Sequence, residues 1–216
     1  MHNLDRQRRW LDKSLPPTLV VGAGTIGSWL CEALWRCGTE NVTVIDPDIV
    51  SGVNICSQNY KPEHIGQFKA EIAGARQGFT SCIGRLGKPL EDSDQYPLVF
   101  AVTDNLASRK LAGQYVAKGG LLVDVRLGRD LIQGYCVRYE ELKGYYADAH
   151  ALTDADVPEA DTCAKVSTIT QSMISASLAV ENAVNWHMGR GYNKYFQLCV
   201  SNLSVMAVPA VQNATV

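Results

Sequence analysis

The sequence lacks a Cys-x-x-Cys pair and any long apolar run. Its seven cysteines are an odd number in 216 residues, so we expect neither a complete disulfide framework nor a four-thiolate zinc site. Free thiols are typical of a reducing compartment. No run approaches the roughly 18 apolar residues that span a bilayer, and the charged N-terminus lacks the apolar region of a secretory signal. These absences favour a cytoplasmic protein without a membrane segment.

An excess of charge is also missing. The formal net charge is -2, and 19% of the residues are charged. A nucleic-acid-binding protein usually carries a basic excess, so we expect no nucleic-acid partner. The hydrophobic share of 46% is that of a globular chain and excludes a disordered, collagenous or coiled-coil protein. The length favours one domain covering residues 1–216.

The N-terminal part of the chain alternates between two kinds of apolar pattern. Continuous β-branched and apolar runs predict buried parallel strands, and apolar residues at helical spacing predict helices between them. The predicted strands are residues 18–21, 42–45, 98–102 and 121–125, and the predicted helices are residues 26–37, 66–77 and 105–118. The first strand, helix and strand form one βαβ unit with a right-handed crossover.

The remaining segments complete the predicted fold. We expect a short N-terminal helix over residues 1–15, a hairpin or meander over 131–147, an acidic crossover loop over 148–165, a helix over 168–187 and late strands within 195–208. Together the elements predict an α/β fold, a Rossmann-like doubly wound mixed sheet. Its first half is parallel, its second half is antiparallel, and helices cover both faces.

The strongest local motif is Gly22-x-Gly24-x-x-Gly27, which lies between the first strand and the first helix. The first glycine allows a tight turn, the second lets a phosphate approach the backbone, and the third lets helix and strand pack closely. The helix N-terminus offers free N–H groups to the phosphate. Asp46 ends the second strand, where an acidic residue binds a ribose hydroxyl. These residues alone predict nucleotide binding, and they fit an NAD-dependent oxidoreductase as well as another nucleotide-binding enzyme.

Motifs later in the chain favour a different kind of nucleotide-binding enzyme. They are Asp46-Pro-Asp48, Asn54-Ile-Cys-Ser57-Gln58, Ile65-Gly66-Gln-Phe-Lys69-Ala70 and Asp104-Asn105-x-x-x-Arg109. Their order and spacing over roughly residues 1–190 resemble the ThiF/MoeB/HesA family, the adenylyltransferases that are similar to ubiquitin-activating enzymes. The absent Cys-x-x-Cys pairs would place the chain in a compact, zinc-free branch of that family.

The resemblance implies ATP-dependent adenylation of the C-terminal glycine carboxylate of a ubiquitin-like or sulfur-carrier protein, by a homodimer that uses ATP and Mg²⁺. By the resemblance, Lys69 would bind the phosphates, Asp104 would hold Mg²⁺, and Arg109 and Asn54 would position phosphate oxygens. Asp46 would bind the ribose. The other residues expected at the nucleotide are Gly22, Gly24, Thr25, Gly27, Asp48, Gln58 and Asn105.

Two departures and one cysteine leave alternatives open. Thr25 replaces a glycine of the family loop, and Ser57 stands where the family carries an arginine that reaches ATP. Ser57 supports the alternative of a catalytically degenerate nucleotide-binding scaffold, and the NAD-dependent oxidoreductase also stays open. Cys163 lies where several relatives carry a cysteine that takes the activated carboxylate as a thioester. A thiol near a helix N-terminus is a better nucleophile, but a structural cysteine fits equally well.

Overall fold

The computed structural model describes residues 6–7, 10–87, 95–148 and 167–210. Along these residues, strands and helices alternate in the first part of the chain. The elements are β1 (Thr18–Val21), α1 (Gly27–Arg36), β2 (Val42–Asp46), α2 (Lys69–Gln77), β3 (Thr80–Ile83), β4 (Tyr96–Ala101), α3 (Leu106–Gly113), β5 (Val116–Leu127), β6 (Leu131–Arg138), α4 (Leu142–Asp148), α5 (Ile169–His187), β7 (Asn193–Cys199) and β8 (Ser204–Pro209).

The strands form one eight-stranded sheet in the order β3-β2-β1-β4-β5-β6-β7-β8. Pairs from β3 to β5 are parallel, and pairs from β5 to β8 are antiparallel. This arrangement confirms the predicted fold class. The chain runs from β1 outward to β3 and then returns to β4 on the other side of β1. The carboxyl ends of β1 and β4 therefore form a topological switch point, where open α/β sheets bind their ligands.

Helices cover both faces of the sheet, as predicted. On one face, α1 and α5 pack on the central strands through buried side chains such as Leu30 and Val184, which join Phe100 of β4 in one cluster. On the other face, Ala112 of α3 and Leu142 of α4 pack on β1, β4 and β5. None of the described helices combines the length and the apolar character that crossing a membrane requires.

The predicted boundaries were wrong at three places in the middle of the chain. The predicted hairpin over residues 131–147 is correct only for β6, because the chain then enters α4. The predicted helix over residues 105–118 ends at Gly113, and β5 begins at Val116. Strand β3 was not predicted, although it forms the edge of the sheet next to β2.

Two predictions concern segments that are described only in part. The predicted N-terminal helix is not formed over residues 11–15, where Leu11 and Leu15 instead bury their side chains in the core. The acidic crossover loop lies outside the described residues, apart from Asp148 at the end of α4. The late strands and the long helix agree with the prediction, and α5 begins at a capping box formed by Thr168 and Gln171.

Candidate functional site

A cavity of about 790 Å³ opens at the carboxyl ends of β1, β2 and β4. It lies at the switch point of the sheet, so the fold itself brings residues from distant parts of the sequence together. The residues that the sequence predicted at a nucleotide and that line this cavity are Gly22, Gly24, Thr25, Asp46, Asp48, Asn54, Gln58, Lys69, Asp104 and Asn105. Gly27 and Arg109, which were also predicted at the nucleotide, do not line the cavity.

The glycine loop between β1 and α1 has the geometry expected from its spacing. Gly22 has a φ of +101°, in the region that favours glycine, and a Cβ there would lie 3.0 Å from the carbonyl oxygen of Val102. A Cβ on Gly27 would lie 1.9 Å from the carbonyl oxygen of Gly22. Gly27 therefore permits α1 to pack against the end of β1, and Gly24 is left to face the cavity.

Asp46 ties the glycine loop to the end of β2. Its carboxylate accepts hydrogen bonds from the backbone N–H of Ala23 at 2.6 Å and of Asp48 at 2.8 Å. Burial raises the pKa of Asp46 above its ordinary value, against these two hydrogen bonds and the nearby ammonium of Lys69, which lower it. The residue predicted to bind a ribose thus also fixes the shape of the glycine loop.

Lys69 places a largely buried ammonium at the cavity wall. Its side chain is 8% exposed, and Nζ lies 3.0 Å from Oδ2 of Asp48, whose side chain is 59% exposed. The backbone of Lys69 is fixed as well, since its N–H donates to the carbonyl of Asp48 at 2.9 Å. Among the described residues, this ammonium pairs with the solvent-accessible carboxylate of Asp48, which an anionic ligand can replace.

Asp104 and Asn105 lie between β4 and α3. Asn105 caps α3, because its Oδ1 accepts from the N–H of Ser108 at 2.8 Å, and its Nδ2 donates to Oδ1 of Asp104 at 3.3 Å. Asp104 is exposed at the cavity. Within the described ranges, no group of three His, Cys, Asp or Glu side chains could hold a metal ion. A single carboxylate still fits Mg²⁺, which is usually bound by one or two carboxylates, phosphate oxygens and water.

The structure does not bring Arg109 to the cavity, although a phosphate contact was predicted for it. Its guanidinium is buried, bonds to Asp124 and the carbonyl of Thr103, and donates to the carbonyls of Ala101 and Val125 at 3.0 Å. These contacts hold the guanidinium inside the protein, and Arg109 does not line the cavity. Arg109 instead holds the turn that leads from β4 to Asp104.

Asp124, which lies on β5 beside the end of β4, anchors this arginine. It also accepts hydrogen bonds from Arg126 at 2.9 Å and from the hydroxyl of Tyr145 at 2.7 Å. Burial alone would raise the pKa of Asp124, but the guanidinium groups of Arg109 and Arg126 outweigh it and lower that pKa. This network could not be predicted from the sequence, because α4, which supplies Tyr145, was predicted as part of a hairpin or meander.

The segment after β2 contributes amides and a hydroxyl to the cavity. Asn54 closes a short 3-10 turn, where its Oδ1 accepts from the N–H of Ser51 at 2.9 Å. The buried Oε1 of Gln58 has no hydrogen-bond partner within the described part of the chain, so it can accept a hydrogen bond from a ligand. Ser57 is 5% exposed and faces the cavity.

Several cavity residues were missed by the sequence analysis. Arg85 follows the unpredicted β3, and Ser167 directly precedes the cap of α5; Thr103 and Ser108 flank Asp104 and Asn105. The capping pattern before α5 is the one signal that could have drawn attention to Ser167, because it fixes where that helix begins.

The described cysteines differ in their access to solvent. Cys163, the predicted acyl acceptor, lies outside the described residues. Cys56 is exposed and lines the cavity. Cys31 and Cys136 are buried, and burial raises the pKa of the Cys31 thiol to about 12. These two thiols are structural, because a buried neutral thiol is a poor nucleophile.

A family model and a curated relative are similar to this chain in sequence. The model of the ThiF family matches residues 4–197. SUMO-activating enzyme subunit 2 of Dictyostelium discoideum is 31% identical over 128 residues, which cover 54% of this chain and 19% of that protein. The chain thus spans about a fifth of that relative's length.

Two solved structures from E. coli share the fold. MccB with ATP superposes with a TM-score of 0.66 at 13% identity, covering 94% of this chain and 67% of the other. TcdA, a tRNA N6-threonylcarbamoyladenosine dehydratase solved with AMP, superposes with a TM-score of 0.58 at 19% identity, covering 80% and 86%.

Proposed function

Since the chain belongs to the ThiF family, we propose that it binds ATP in the cavity and adenylates the C-terminal carboxylate of a small protein or peptide. The observation that carries this proposal is that the glycine loop, Asp46, Lys69 and Asp104 line one cavity at the switch point of the sheet. The name of the SUMO-activating relative and the ATP and AMP of the two E. coli structures support the classes of substrate and nucleotide.

The order of the strands suggests how the nucleotide lies. The ribose binds near Asp46 at the end of β2, and the phosphates lie over the glycine loop at the N-terminus of α1. Lys69 exchanges its contact with Asp48 for a phosphate oxygen. Asp104 would hold Mg²⁺, which would supply Lewis-acid neutralisation of the phosphate charge. Asn54, Gln58 and Asn105 complete the polar lining.

The chemistry needs positive charge because both reactants are anions. An oxygen of the substrate carboxylate attacks the α-phosphorus of ATP, and the bond from that phosphorus to the bridging oxygen of the β-phosphate breaks. The products are an acyl-adenylate and pyrophosphate, which leaves with the electron pair of the broken bond. The ammonium of Lys69 stabilises the negative charge that develops on the phosphoryl oxygens.

Two finer predictions stay open. The acyl group can pass to the thiolate of Cys163, with AMP as the leaving group, and that residue lies outside the described ranges. The homodimer is likewise a prediction from the family resemblance.

The first test is a calorimetric titration with Mg²⁺–ATP and, separately, with NAD. We expect binding of ATP and not of NAD, and a loss of about tenfold or more in ATP affinity for Lys69→Ala and for Asp104→Ala, since each removes a charged contact. Lys61→Ala is the matched control, because Lys61 pairs with Glu63 in the same segment and does not line the cavity.

Each other outcome of this titration favours another function. Binding of NAD that does not depend on Lys69 would favour an oxidoreductase. Binding of neither nucleotide would favour a non-catalytic scaffold that has kept the fold and lost the activity. Where ATP binds, exchange of labelled pyrophosphate into ATP in the presence of a ubiquitin-like protein tests the adenylation step itself.

A further inference from the structure

Three hydroxyl groups from distant segments meet in the cavity. Thr25 belongs to the glycine loop, Ser57 to the segment after β2, and Ser167 to the residues before α5. Oγ1 of Thr25 lies 3.5 Å from Oγ of Ser167, which donates to Oγ of Ser57 at 3.3 Å. We propose that this hydroxyl cluster binds the two terminal phosphates of ATP, which leave as pyrophosphate. The inference rests on the function proposed above.

The burial of the hydroxyl cluster shows that it is a built feature of the cavity. Ser57 is 5% exposed and Thr25 is 9% exposed, yet both line the cavity, as does Ser167. The segment of Ser57 is fixed over α1, because the indole N–H of Trp29 donates to its carbonyl at 2.8 Å. The cluster therefore has a defined position in the folded chain.

The distances within the hydroxyl cluster favour a ligand. Hydrogen bonds between hydroxyl groups are usually about 2.7–2.8 Å long, so the contacts of 3.3 Å and 3.5 Å are weak. Each hydroxyl can rotate its proton toward an anion and lose little. Hydrogen bonds to a charged acceptor are stronger than those between neutral groups, so phosphate oxygens are better partners than the neighbouring hydroxyls.

Two helices add positive potential at the same place. Helix α1 begins two residues after Thr25, and helix α5 begins two residues after Ser167. The N-terminus of each helix carries a positive partial charge and free N–H groups. Among the described residues that line the cavity, the cationic side chains are Lys69 and Arg85, and neither contacts the cluster. The hydroxyl groups and the helix termini therefore supply hydrogen-bond donors for an anion in this part of the cavity.

The position of the hydroxyl cluster along the glycine loop indicates which phosphates it meets. Asp46, the residue proposed to bind the ribose, accepts a hydrogen bond from the N–H of Ala23 at 2.6 Å, so the proposed ribose end lies at the start of the loop. Thr25 is two residues further along, where the loop turns into α1. The cluster that begins at Thr25 is accordingly placed for the phosphates beyond the α-phosphate.

The experiment compares three probes, namely Mg²⁺–ATP, AMP and inorganic pyrophosphate, by calorimetry. We expect Ser57→Ala to lose about tenfold in affinity for ATP and for pyrophosphate while its affinity for AMP is unchanged. Thr25→Val should behave in the same way, and Thr25→Ser, which keeps the hydroxyl, should bind ATP as the wild type does. Ser175→Ala is the matched control, since the buried hydroxyl of Ser175 donates to Gln171 within α5 at 2.6 Å.

The outcomes separate this inference from the proposed function. An equal loss for ATP and AMP, or no loss for either in Ser57→Ala and Thr25→Val, overturns the role of the hydroxyl cluster. If the wild type binds pyrophosphate through Ser57 and binds no adenine nucleotide, the cluster stands as an anion site and the adenylation proposal fails. If it binds none of the three probes, both are overturned.

Discussion

Asp124 shows how a residue outside the cavity controls one that lines it. The carboxylate joins Arg109, Arg126 and Tyr145, and Arg109 in turn holds the backbone that leads to Asp104. The motif Asp-Asn-x-x-x-Arg identified Arg109 as the arginine that resembles the one in the family motif. It carried no information on the direction of the side chain, which depends on a strand and a helix that follow later in the chain. Arg109 was expected to contact a phosphate, but in the structure it bonds to Asp124 and to the backbone instead.

Replacing Asp124 by Asn should destabilise the protein. The change leaves two arginines facing one neutral amide, and breaking a buried ion pair costs about 3–5 kcal/mol. The free energy of unfolding, measured by urea denaturation at pH 7, should fall by that amount. Asp130→Asn, at an exposed aspartate in the turn after β5, should leave it unchanged.

The pH dependence of this difference tests its electrostatic origin. Arg109 and Arg126 lower the pKa of Asp124 in the folded protein, so the stabilisation is complete above the unfolded value of about 3.9. It is lost as the pH falls through the lowered folded value. The wild type and Asp124→Asn should therefore converge in stability below about pH 4. A difference that stays constant down to pH 3 would assign the loss to packing.

At the scale of elements, the join between β1 and α1 depends on two glycines with different tasks. Gly27→Ala should destabilise the fold by about 1–3 kcal/mol, as overpacking usually does, because its Cβ would lie 1.9 Å from the carbonyl oxygen of Gly22. Gly24→Ala should keep its melting temperature, since a Cβ there meets nothing within 4 Å, and should lose nucleotide affinity. Thermal melts and ATP titrations of both variants check this. Equal destabilisation by the two changes would contradict the division of tasks.

Elements with a strong periodic pattern could be predicted from the sequence, and short or mixed ones could not. Strands β1, β2 and β4 are runs of β-branched and apolar residues, and α5 has both a cap and a long apolar face. Strand β3 is only four residues long and has no buried residue, so it leaves no apolar pattern. Helix α4 contains adjacent tyrosines that favour a strand locally, but in the fold these tyrosines pack as part of a helix against the sheet.

The same limit applies to the candidate site. Asp46, at a predicted strand end, and Lys69, near the start of a predicted helix, both belong to sequence motifs, and both line the cavity. Ser167 and Arg85 reach the cavity because α5 packs on α1 and because β3 joins the sheet. Those contacts join residues far apart in sequence, so no local pattern encodes them.

At the scale of the whole molecule, the two halves of the sheet differ in their contribution to the cavity. The parallel half, β3 to β5, carries the cavity at its carboxyl edge. The antiparallel half, β6 to β8, contributes no residue to that cavity within the described chain. Buried residues of both halves belong to one core cluster, in which Val20 of β1 and Phe196 of β7 take part. A ligand in the cavity should therefore stabilise the fold globally while it restricts local motion in the parallel half alone.

Hydrogen exchange and thermal unfolding with Mg²⁺–ATP test this division. At 100 times its Kd, ATP should stabilise the fold by about 2.7 kcal/mol and raise the melting temperature by about 5–10 °C. At short labelling times, which report local opening, protection should increase in residues 22–28, 46–58 and 102–108 and stay unchanged in β7 and β8. Lys69→Ala, labelled at the same ATP concentration, is the control and should lose most of the added protection. Early protection in β7 and β8 would show that the two halves respond as one unit, and ATP would then act on the antiparallel half through the shared core.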